Sequence, residues 1–91
     1  MTSRRMLKKK INVIVNNIIE ECYNVQINDK EKDVATNKII DETVLFFDDL
    51  LTRVHAAKEI SDDGELKKHY DAINSDLEKT SLTLINKLNK V

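Results

Sequence analysis

The sequence predicts an all-α protein, an up-down-up antiparallel three-helix bundle, and three observations carry that prediction. Apolar side chains recur every three or four residues through three long stretches. Proline is absent and Gly64 is the only glycine, so nothing inside those stretches breaks a helix. The polar connections between them are short, which brings each helix back alongside the one before it.

The first helix is expected over about residues 3–23. Ser3 can accept hydrogen bonds from the exposed N–H groups of the first turn. Leu7, Ile11, Ile14, Ile18 and Cys22 follow at intervals of four, three, four and four. They fall within roughly 80° of arc, with Val15 and Ile19 widening one edge. Turn formers gather between Asn24 and Asp29, and Asn28 with Glu31 has the spacing of a capping box opening the second helix, about residues 29–57. There Ile40, Val44, Phe47, Leu51 and Val54 lie on one line, with Ile39, Phe46, Leu50 and Ala57 beside it. An arc of about 160° suits a helix that touches two neighbours.

Residues 58–65 supply the next break: Gly64 follows Ser61, Asp62 and Asp63, each able to cap, and Asp62 with Glu65 again has capping-box spacing. The third helix, about residues 63–90, carries Leu66, Tyr70, Ile73, Leu77, Leu84, Leu88 and Val91. Its seam is interrupted at Thr80 and Ser81, which leaves either a thin layer or room for a neighbouring backbone. A chain of 91 residues is expected to form one domain, 1–91.

Composition narrows the functional classes. The longest unbroken apolar run, Val44 to Phe47, is far below the ~20 residues that cross a bilayer, so no membrane partner is expected. The single cysteine, Cys22, cannot form an internal disulfide, and no secretory apolar segment follows Met1, so the expected location is the cytoplasm. Cys22 lies on the core stripe, where a thiol behaves as a small hydrophobe. No glycine-rich phosphate loop and no Ser/His/Asp ordering occurs, and the expectation is a protein that is not an enzyme and takes no cofactor. His55 stands four residues before Glu59 and His69 four after Glu65, ordinary surface spacings that lack the Glu-x-x-His pattern of a di-metal bundle.

Charge is uneven along the chain. Arg4, Arg5, Lys8, Lys9 and Lys10 crowd the start with no acid among them, leaving the remainder acidic. Such a cluster could contact phosphate or an acidic partner through counterion release. Its members scatter around the helix as a collar, however, and no aromatic residue is interleaved for base stacking, which disfavours nucleic acid as a partner. Three apolar residues, Val13, Leu45 and Leu82, fall outside the core faces in polar surroundings. Gathered on one side with Met6 or Ile85, they would mark a surface for self-association, as a homodimer, or for a partner helix.

The opening Met1-Thr2-Ser3-Arg4-Arg5, then Leu7-Lys8-Lys9 and Ile11, followed by Glu21-Cys22, resembles the start of a family of short uncharacterised bacterial helical proteins. The likeness covers about the first quarter of the chain. It implies a bacterial, cytoplasmic helical domain and brings no activity, cofactor or site residue with it. The function expected from the residues is a non-catalytic protein-interaction or structural module acting through helical surfaces. The alternative is a weak nucleic-acid or acidic-surface binder using Arg4 to Lys10.

Overall fold

A computed structural model describes residues 4–91, which form three long helices with no strand among them. These are α1 (Arg4–Asn28), α2 (Asp33–Ala56) and α3 (Asp63–Asn89), packed as a rod of 50 × 18 × 17 Å. Ser3, expected to cap α1, lies outside the described residues.

Helix α1 runs five residues past its expected end. The turn formers from Asn24 onward are overridden because Val25 and Gln26 are half-buried as helical residues, and the last turn closes with Asp29 N–H donating to Val25 O (2.9 Å). The cap that follows is Asp29, not Asn28: its Oδ1 accepts from Glu31 N–H (3.0 Å) and opens a single 3-10 turn, Lys30–Lys32, that leads into α2. Gln26 ties this corner together, its Nε2 donating to Thr36 Oγ1 (2.8 Å) and Asn37 Oδ1 (2.7 Å). A second 3-10 turn, Ala57–Glu59, ends α2 where the sequence predicted continuous helix to residue 57. Asp62 caps α3 by accepting from Gly64 N–H (3.0 Å), one residue nearer than the expected capping box.

The buried face of α2 is rotated by about 60° from the predicted line. Of Ile40, Val44, Phe47, Leu51 and Val54, only Val54 is buried, and Val44 is exposed. The core face is instead Thr36, Ile39, Thr43, Leu50, Val54 and, in the turn that follows, Ala57. Ile39, Leu50, Val54 and Ala57 all lie within the predicted arc, towards one edge of it; what apolar periodicity missed are the two threonines. Each returns its hydroxyl to the backbone one turn earlier, Thr43 to Ile39 O (2.7 Å) within α2 and Thr36 to Lys32 O (2.8 Å) in the 3-10 turn before it, and so becomes a buried residue with no unmet polar group. On α1 the correction is smaller: Val15 takes the buried place expected for Ile14, which is half-buried at the edge facing α3.

Two apolar clusters fill the rod. Leu7, Ile11, Val15, Leu50, Val54, Ile73 and Leu77 form one, drawn from all three helices. Ile18, Cys22, Ile39 and Leu84 form the other, and Ile14 and Phe46 pack against both. Polar contacts cross between the helices on the outside. Lys87 Nζ donates to Glu42 Oε2 (2.8 Å) and Arg53 to Asp76 Oδ2 (2.7 Å), both between α2 and α3. Lys10 Nζ donates to Asn74 Oδ1 (3.1 Å) between α1 and α3. Exposed pairs of this kind each contribute at most about 1 kcal/mol, so burial of the aliphatic face holds the fold together.

Candidate functional site

The seam of α3 reaches Ser81 where a leucine would continue it. Ser81 is buried, and its hydroxyl donates back to Leu77 O within the same helix, so a short side chain stands in the layer between α3 and α1. The interruption predicted at Thr80 and Ser81 is thus real, and it has a structural result. A groove of about 630 Å³ opens between α1 and α3, with Ser81 in its lining.

Ile14 and Ile18 line the groove from α1, and Leu82, Ile85 and Leu88 from α3. Its polar lining consists of Asn17 and Glu21 on one helix and Glu78, Ser81 and Asn89 on the other. Leu82 is 62% exposed and Ile85 41%, although both sit on a mostly apolar surface. The groove therefore offers a desolvatable strip with negative charge on each side. Such a surface is complementary in shape and charge to an apolar ridge flanked by cations.

The three apolar residues singled out by sequence do not meet as one patch. Leu82 lines the groove. Val13 lies on α1 beside it, in a shallower depression that also includes Met6, Lys9 and Lys10 and shares Ile14 with the groove. Leu45, 70% exposed, belongs to the outer side of α2 and lines neither. Ile85, named with Met6 as a companion of that surface, does join Leu82 in the groove, whereas Ile14, Ile18 and Leu88, which periodicity assigned to the core, also line it; the break in the α3 seam at Ser81 is the signal that points to them.

The basic start is also more ordered than a collar. Arg4, Arg5, Lys8 and Lys9 line one concavity with Asn12, Val13 and Asn16, while Lys10 turns towards α3, 3.9 Å from Glu78. No acidic residue stands in the first turn of α1 to offset these cations at the positive end of the helix dipole.

The remaining candidates have structural employment. His69 Nε2 lies 2.6 Å from Arg53 O and links α3 to α2, and its neighbour Arg53 is also bound to Asp76. His55 is exposed. Among the described residues no three His, Cys, Asp or Glu side chains are grouped to hold a metal ion. Cys22 is fully buried; its thiol is pushed above the ordinary value by burial and, to a smaller extent, by the charge of Glu21. No helix among the described residues is long and apolar enough to cross a membrane. The chain matches no protein-family model, no curated protein and no solved structure.

Proposed function

We propose that this chain is a non-catalytic interaction module that buries the groove between α1 and α3 against the apolar helical surface of another protein molecule. The observation that carries this reading is the groove itself: Leu82 and Ile85 stay exposed on a long apolar strip whose polar lining is glutamate, asparagine and serine, a composition suited to docking and not to bond chemistry. The same reading takes residues 1–91 as one up-down-up domain. In support, residues 42 and 53 of α2 pair with 87 and 76 of α3 in opposite order, and Gln26 at the end of α1 meets Thr36 at the start of α2. A single buried thiol suits a reducing compartment such as the cytoplasm.

A photo-activated cross-linking residue at position 82, introduced in the cell that makes the protein, is expected to give an adduct of discrete mass. The same residue at the exposed Thr52 is expected to give none. Equal labelling from both positions, or no adduct from position 82, would end the proposal.

A second reading, a weak binder of nucleic acid or another acidic surface, draws on the concavity shared by Arg4, Arg5, Lys8 and Lys9. It predicts that a DNA duplex is retarded at low salt, that the complex is lost at moderate salt, and that Arg4→Glu/Lys8→Glu abolishes it. A duplex that migrates freely at low salt excludes it.

A further inference from the structure

Along the outer, α3-facing side of α1, Met6, Lys10, Val13, Asn17 and Glu21 follow one another at intervals of four, three, four and four, a single line on the helix surface. The two halves of this line differ. The first presents exposed Met6 and Val13 beside Lys9 and Lys10. The second borders the groove, with Asn17 and Ile18 followed by Glu21. Charge divides the same way: residues 4–10 hold five bases and no acid, whereas residues 11–29 hold Glu20, Glu21 and Asp29 and no base. An apolar ridge flanked by cations therefore adjoins an apolar groove flanked by carboxylates, on one face of one helix.

We infer that the occupant of the groove is a second copy of this chain, with the two α1 helices running antiparallel about a two-fold axis near Val13 and Ile14. This rests on the interaction-module reading and names its partner. In that register Met6 of one copy is level with Glu21 of the other, Lys10 with Asn17, and Val13 with Ile14. Met6 and Val13 then cover the Ile14–Ile18 side of the opposite groove, and Lys9 approaches Glu20 and Glu21 across the interface while Lys10 keeps its contacts to Asn74 and Glu78 of its own chain. The symmetry makes every contact twice and closes the assembly at two copies. A parallel pairing would set the five bases of one chain against those of the other, so the charge pattern selects the antiparallel one.

Cross-linking tests both the partner and the direction. With Cys22→Ser removing the native thiol, Val13→Cys is expected to form a disulfide between chains under mild oxidation, because the two positions flank the axis. Glu21→Cys is expected to form none, since fifteen residues of helix hold the two sites about 22 Å apart. In equilibrium sedimentation, Lys9→Glu is expected to weaken the dimer by about tenfold by turning two attractions into repulsions, and adding Glu21→Lys to restore it. Ready cross-linking at position 21, no cross-linking at position 13, or a 10.5 kDa monomer at every concentration would overturn the assembly. A position-82 adduct of some other protein, found together with that monomer, would defeat this inference while leaving the interaction module standing.

Discussion

Leu77→Ala is expected to destabilise the bundle by about 3 kcal/mol, seen as a fall in the urea midpoint with an unchanged slope. Leu77 is 0% exposed and belongs to the cluster that joins Leu7, Ile11 and Val15 of α1 to Leu50 and Val54 of α2. Truncation removes the transfer free energy of the lost carbons and leaves a void that all three helices would have to move to close. The helices are held along their length by the second cluster around Ile18, Cys22, Ile39 and Leu84, so collapse at one layer is restricted. Against a total stability of about 5–15 kcal/mol for a domain of ordinary stability, the loss is a substantial fraction. Leu82→Ala, three-fifths exposed in the groove, serves as the control and is expected to change stability by no more than about 0.5 kcal/mol. Equal losses for the two variants would show that the core has been placed on the wrong face of α3.

The thiol of Cys22 gives the second large effect. In the folded protein its reaction with an aromatic disulfide reagent is expected to be at least about a thousand times slower than in urea-unfolded chain, because attack requires an opening that exposes α1. Two causes act together: Cys22 is 0% exposed, and burial, aided by the charge of Glu21, raises its pKa. The direction of the shift also fixes a pH dependence. The folded state holds this proton more tightly than the unfolded state. The contribution to stability is therefore complete below the ordinary thiol pKa and is lost as pH rises through the raised value. Rapid labelling at neutral pH without denaturant would place Cys22 at the surface and displace the register of α1.

Helix existence was legible in the residues because period and composition agreed over three long stretches, and the start of α3 was legible because Asp62 and Gly64 give a local signal. The face of α2 was legible in part: Ile39, Leu50, Val54 and Ala57 were within the predicted arc, but its centre was misplaced. Hydrophobicity counts Thr36 and Thr43 as polar, whereas a threonine that bonds back to the preceding turn presents a methyl group to the core. The end of α1 was misplaced for a related reason: asparagines favour turns only where no partner stabilises the helix, and Gln26 supplies partners in Thr36 and Asn37. The site was half visible. Ser81 marked a weak layer in the sequence, but that Ile14 and Ile18 would line its other side depends on how α1 and α3 are rotated against each other. That rotation is set by packing and leaves no mark in either helix alone.

Ile14 lines the groove wall and packs against both apolar clusters. With Phe46 it links the two layers of the core, so truncating Ile14 would loosen both and widen the groove at once. On the proposed docking, a partner seated in the groove would cover a side chain that both clusters touch, and its binding would stabilise the two layers together.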